Sequence, residues 1–202
     1  MLKSIKRFTV TSRGGLYVKM NHFIDFNLEK DIFLNELKYR DLPELFSKLN
    51  ENVHELSQRF NWMENPSAMN TFIHWLLKEQ EANKALLLLI KKHSNLIGAV
   101  GFNDLNWSTR ESSLKYWLDK RYCGQGIVTK ACQTLINHGF KSLKLKNLYI
   151  HAALNNPKSL AVAKRLHFIP VKTRNDIVES YGKNYESTEF KLDKARWQGY
   201  YK

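Results

Sequence analysis

A chain of 202 residues, 43% hydrophobic and 12% aromatic, is long enough to bury one sizeable core and suits a single domain. Lys and Arg total 32 against 19 Asp and Glu, and the resulting charge of +13 draws anionic partners such as phosphorylated cofactors, acidic proteins or ribosomes. The longest apolar run, residues 85–90, is too short to span a bilayer, no apolar core follows the first lysines, and the basic residues are not interleaved with aromatics. Neither a membrane, nor secretion, nor sequence-specific nucleic-acid binding is therefore expected.

Residues 1–19 carry five basic residues, no acid and a Gly14-Gly15 pair, and read as a poorly ordered basic extension, with Met20 a candidate natural start. Residues 20–202 then form one domain. A first strand is expected over 31–37. Asp41 stands at an N-cap position with Glu44 three residues on, a capping box, ahead of the helical stripe Leu42, Leu45, Phe46, Leu49. Asn65-Pro66-Ser67 opens a second helix through Phe72, Ile73, Leu76 and Leu77. Residues 86–90 and 96–105 form a hairpin around His93-Ser94-Asn95.

The segment 114–118 reads as a strand, and Val128, Cys132, Leu135, Ile136, Gly139 and Phe140 recur at helical spacing. Between them lies Arg121-Tyr122-Cys123-Gly124-Gln125-Gly126. A glycine-bearing loop that opens a helix aims unpaired backbone N–H groups and the positive end of the helix dipole at one point, which suits a phosphate or pyrophosphate. Cys123 and Cys132, the two cysteines, have no companions at metal-ligand spacing, and the seven histidines are scattered. Hence no metal and no structural disulfide are expected, and a reducing cytoplasm fits. Residues 148–154 form another strand. Asn156-Pro157 starts a short helix, with asparagine suited to the N-cap and proline to the first helical position. A last hairpin, 169–178 with 186–192, closes the chain. Strands and helices succeed one another without strict alternation, so the class is α+β or mixed α/β.

Arg121-x-x-Gly124-x-Gly126 resembles the acetyl-CoA pyrophosphate loop of the GNAT acetyltransferases. The run from Asn156 through Ser159 to His167-Phe168 resembles that family's second signature, N-x-x-S followed by a helix ending in Gly-Phe. Tyr116-Trp117-Leu118-Asp119 and Gly124-Gln125-Gly126-Ile127 are similar to the RimJ/RimL group, which acetylates protein N-termini, and the similarity spans residues 31–197. The resemblance implies a twisted, mostly antiparallel sheet of about six to seven strands flanked by about four helices, splayed at the cofactor site. It also implies an acetyl-CoA-dependent N-acetyltransferase acting by direct attack of an amine on the thioester. Backbone amides from Tyr122, Cys123, Gly124, Gln125, Gly126, Ile127, Val128 and Thr129 would wrap the pyrophosphate. The strand edge at Trp117, Leu118 and Asp119 would pair with the pantetheine amides, Asn156 would contact the pantetheine arm, and Ser159 would protonate the departing thiolate.

The proton acceptor departs from the pattern. Where the group has A-E-I-G-Y-W, this chain reads Ser112-Ser113-Leu114-Lys115-Tyr116-Trp117, so Ser113 replaces the glutamate and Lys115 the glycine. Glu111, two residues before Ser113 and on its strand face, is the expected substitute, against a plain ion pair with Arg110; His54, Glu55 and Asp104 are other candidates. Phe60, Trp62 and Trp107 are placed by order along the chain on the acceptor side. The acceptor itself stays open: a ribosomal or acidic protein N-terminus, a small amine such as an antibiotic or aminoacyl nucleotide, or none at all in a non-catalytic acetyl-CoA- or ribosome-binding relative. A homodimer is among the expected assemblies. A dinucleotide-binding oxidoreductase is disfavoured, because the loop has no third glycine and lies mid-chain.

Overall fold

The structure is a computed structural model and describes residues 24–57, 65–180 and 183–201, with side chains described outside 172–185. The expectations for residues 1–19, Met20, Phe60 and Trp62 lie outside the described residues.

Eight strands form one sheet, in the order β1-β2-β3-β4-β5-β6-β8-β7: β1 (Asp25–Glu29), β2 (Ile32–Glu36), β3 (Leu86–Lys92), β4 (Asn95–Asn106), β5 (Glu111–Leu118), β6 (Asn147–Ala153), β7 (Ile169–Ser180) and β8 (Lys183–Asp193). Six α-helices accompany it among the described residues: α1 (Leu42–Glu51), α2 (Val53–Leu56), α3 (Pro66–Glu81), α4 (Ile127–Lys141), α5 (Pro157–Arg165) and α6 (Lys194–Tyr200). The class is the expected one, with one strand and two helices more than expected. β1 went unread because it is a five-residue edge strand that buries only Phe26 and Leu28, and those partially. α6 has no long apolar stripe to announce it. Its helical state rests on Asp193 accepting from Arg196 N at 2.7 Å and on one anchor, Trp197, 1% exposed, whose indole donates to Asn137 Oδ1 at 2.8 Å.

Helices cover both faces of the sheet. Leu135, Ile136 and Phe140 of α4 pack on Leu88, Val100, Leu114 and Ile150. Leu45 and Leu49 of α1, with Ile73 and Leu77 of α3, pack on Leu37, Leu89 and Ala99 of the other face. The capping box ahead of α1 does not form. Asp41 lies in a 3₁₀ turn (Tyr39–Asp41) with helical φ and ψ, and its carboxylate turns back to accept from Lys38 N at 3.0 Å. Glu44 instead accepts from Leu96 N at 2.8 Å and pairs with Lys91, tying α1 to the β3–β4 hairpin. The cap at Asn65 does form, with its side chain accepting from Ser67 N and Ala68 N.

The feature that makes a site is the pairing of β5 with β6. All other neighbouring strands are antiparallel; these two are parallel and pair only at Glu111–Asn147, Ser112–Leu148 and Ser113–Tyr149. β5 stays paired with β4 out to Leu118, and β6 with β8 out to Ala153, so the two halves of the sheet diverge beyond Ser113 and Tyr149. Backbone groups on the inner edges of β5 and β6 are thereby left without a strand partner. A peptide-like ligand can take them.

Candidate active site

A cleft of about 1300 Å³ opens from this gap. Its walls come from β5 (Lys115, Tyr116, Trp117, Leu118), the loop into α4, β6 (His151, Ala152, Ala153) and the start of α5 (Asn156, Ser159). The loop has the geometry expected of an anion cradle. Gly124 and Gly126 have φ of +79° and +78°, in the left-handed region where a side chain is strained, and a Cβ added at either would meet no atom within 4 Å. The glycines thus hold open space in front of the first turn of α4, whose unpaired N–H groups point out of the helix. A bulky phosphate fits that space, and the residues present match a pyrophosphate-bearing cofactor.

Arg121 serves the loop in a different way. Its guanidinium is not part of the cleft wall; it grips Asp119 through Nε at 3.0 Å and reaches Glu51 at 3.3 Å. Asp119 is buried, and its carboxylate also caps the 3₁₀ turn at Lys120–Tyr122 by accepting from Arg121 N at 3.0 Å. Arg121 donating to Asp119 holds that carboxyl below its usual range. The pair fixes the entry to the glycine loop. Asp119, Arg121 and Gln125 do not line the cleft, while Trp117, Leu118, Tyr122, Cys123, Gly124, Gly126, Ile127, Val128 and Thr129 do.

Asn156 lines the cleft and also caps α5, accepting from Ser159 N at 3.1 Å. The cap orients the first turn of α5 so that Ser159 Oγ stands 2.9 Å from the Tyr116 hydroxyl of β5. This hydroxyl pair spans the gap on the face packed by α4 and α5. It went unread because the two residues are 43 positions apart and meet only when the strands diverge.

The expected acceptor-side residues fare differently. Glu111 is not in the cleft. It borders a second, smaller hollow of about 410 Å³ on the opposite face of the sheet, along with Asp104, Tyr149, His151 and Glu189. Its partners include Asn147 Nδ2 at 2.8 Å and the Tyr149 hydroxyl at 3.2 Å, and these hydrogen bonds, with one from Thr109, hold its carboxyl below the usual range. Trp107 lies outside both cavities; its indole donates to Asn83 O at 2.7 Å and its ring packs on the core, so it does structural work. His54 and Glu55 sit on α2 and line neither cavity. Lys115, standing opposite Gly101 of β4, lines the cleft, and burial pushes its ammonium below the usual lysine range. His151 also lines it. Its place was legible from the period-2 alternation of Asn147, Tyr149 and His151, but only a known register puts it at the gap.

A sheet parted between two parallel strands, with an anion cradle at one end of the gap and paired hydroxyls beside it, defines an acetyl-CoA-dependent acyltransferase. The chain belongs to the GNAT family: its acetyltransferase (GNAT) domain is matched over residues 31–169. It is similar to the putative ribosomal N-acetyltransferase YdaF of Bacillus subtilis, with 27% identity over 176 residues, covering 85% of this chain and 96% of that one. It is also similar to the ribosomal-protein-serine acetyltransferase of Escherichia coli, 27% identical over 145 residues, 70% of this chain and 81% of the relative. Among solved structures, the ribosomal L7/L12 alpha-N-protein acetyltransferase RimL in complex with coenzyme A shares the fold, with a TM-score of 0.80 at 21% identity, over 86% of this chain and 99% of that one. Acetyl-CoA is the donor, and the reaction is N-acetylation. No helix among the described residues is long and apolar enough to cross a membrane.

Proposed function

We propose that this enzyme acetylates the α-amino group of a protein N-terminus, with a ribosomal or an acidic protein as acceptor. The observation that carries the reading is the similarity, over 85% and 70% of this chain, to the two relatives named for ribosomal-protein acetylation. The charge of +13 supports it, since it steers an acidic protein toward the cleft.

Acetyl-CoA supplies an activated thioester carbonyl. The loop amides from Tyr122 to Thr129 bind its pyrophosphate, the free inner edge of β5 at Trp117 and Leu118 takes the amide-bearing arm, and Asn156 contacts that arm while holding α5 in place. Ser159 Oγ, already hydrogen-bonded to Tyr116, gives a proton to the leaving sulfur. An N-terminal amine has a pKa near ~8, so a useful neutral fraction exists at physiological pH and a modest base suffices.

The second reading is a small cationic amine. Three carboxylates, Asp104, Glu111 and Glu189, border the smaller hollow and would hold a compact ammonium despite the overall positive charge. Thiol release from acetyl-CoA decides between them when measured with octapeptides beginning in serine or alanine, with spermidine, and with a non-hydrolysable aminoacyl nucleotide. A serine- or alanine-initiated peptide should give the highest kcat/KM. Spermidine or the nucleotide as the best acceptor overturns the protein reading, and CoA binding without turnover of any acceptor overturns the enzymatic one.

A further inference from the structure

The last paired residues before the sheet parts are Ser113 on β5 and Tyr149 on β6. The next same-face position on each strand is Lys115 and His151, so these two side chains flank the mouth of the gap. Both belong to the face opposite α4 and α5. Tyr116 and Ser159 meet on the α4–α5 face, which also carries the glycine loop. Among the described residues, His151 is the one common to the walls of the large cleft and the smaller hollow. A donor lying in the first and an amine arriving through the second converge on its imidazole.

We propose that His151 is the proton acceptor for the attacking amine, standing in for the glutamate that Ser113 replaces. Direct attack on a thioester puts nucleophile and leaving group on different sides of the carbonyl, and the structure supplies one group for each: His151 on the hollow side, Ser159 on the cofactor side. The neutral amine nitrogen bonds to the carbonyl carbon and becomes positively charged, then passes one proton to the imidazole. The C–S bond breaks, sulfur takes the Ser159 hydroxyl proton, and the serine is reprotonated through Tyr116 and solvent. His151 returns its proton to water, leaving an amide and free CoA. Glu189 stands directly opposite His151 on β8, with Oε2 3.7 Å from Nε2, and offsets the imidazolium charge while it lasts. Among the described residues, the other charged or titratable groups around this face are Asp104 of β4, Glu111 and Lys115 of β5, Tyr149 of β6 and Lys191 of β8. Glu111 is a poor competitor, for it borders only the hollow and is already held by Asn147 and Tyr149.

The inference rests on the acetyltransferase activity and not on which amine accepts. Its test uses His151→Gln and His151→Ala on whichever acceptor of the panel wild type turns over. The expected result is a loss of about 10²-fold or more in kcat/KM and partial rescue of His151→Ala by imidazole. The Kd for CoA by calorimetry stays as in wild type. Retention of kcat/KM within about threefold overturns the proposal, as does a parallel loss of CoA affinity, which would mark His151 as a wall residue. A turnover-independent readout is the His151 ring resonance in wild type. It must shift on adding CoA. A ring that does not shift overturns the proposal whatever the acceptor proves to be.

Discussion

Replacing Gly126 by alanine separates the two contributions this glycine makes. Its φ of +78° and ψ of −2° lie in the left-handed region, where a Cβ costs roughly 1–2 kcal/mol in the folded state. Nothing lies within 4 Å of the would-be Cβ, so no overpacking adds to that cost. For a domain of this size, each kcal/mol lowers Tm by about 2–4 °C, giving an expected drop of about 2–8 °C. The new methyl also stands where the cofactor's phosphates approach the α4 amides. A lost charge-assisted hydrogen bond is worth about 1.5–3 kcal/mol, so Kd for CoA should rise at least about tenfold. Gly126→Asn is the control, because asparagine tolerates the left-handed region better yet still carries a Cβ. Scanning fluorimetry should show Tm recovering in the asparagine variant, while calorimetry shows CoA affinity still impaired. Wild-type affinity in Gly126→Ala, or affinity recovering in step with Tm in Gly126→Asn, would refute the claim that the glycine keeps space open for the ligand.

Three further outcomes follow from the site. Ser159→Ala should lower kcat by about 10²-fold with Kd for CoA unchanged, and Tyr116→Phe by less, since it removes only the serine's hydroxyl partner; stopped-flow thiol release reads both. Asp119→Asn should lower Tm at neutral pH. Arg121 holds the Asp119 carboxyl below its ordinary value of 3.8, so its stabilisation is complete above that pH and is lost as the pH falls through the depressed folded value. The Tm gap between wild type and variant should accordingly be widest near neutrality and close in acid; a gap that widens in acid contradicts the assigned pairing. Iodoacetamide, followed by peptide mass spectrometry, should modify Cys123, which lines the cleft, and be slowed there by CoA. Cys132 is fully buried in the core, which pushes its thiol up, and should react only on unfolding.

Much of the donor half of the site was legible in the residues themselves. A glycine loop that opens a helix, and an asparagine–proline helix start with serine three residues after the asparagine, are local patterns. Their backbone conformations and exposed N–H groups follow from sequence neighbours, and the structure places them as read. The same locality explains the caps at Asn65 and Asn156. It also explains the failure at Asp41, where a preceding 3₁₀ turn changed the backbone angle and sent the carboxylate back to Lys38. Short amphipathic pieces such as β1 and α6 escaped because each buries too little to leave a pattern.

The acceptor half belongs to the tertiary structure. Glu111 shares a strand face with Ser113, as alternation requires, yet only the β5–β6 register delivers Asn147 and Tyr149 to occupy its carboxylate. Arg121 stands in the signature loop, but its role was set by Asp119 and by Glu51, seventy positions away on α1. The gap itself is a property of pairing: two strands bonded for three residues and then drawn apart by β4 and β8. Sequence determines what each strand and loop can offer chemically, because side-chain type and local dihedrals are written in the chain. Which of those offers meet, Ser159 with Tyr116 across the gap and His151 with Glu189 beside it, is decided by long-range register, which no local pattern encodes.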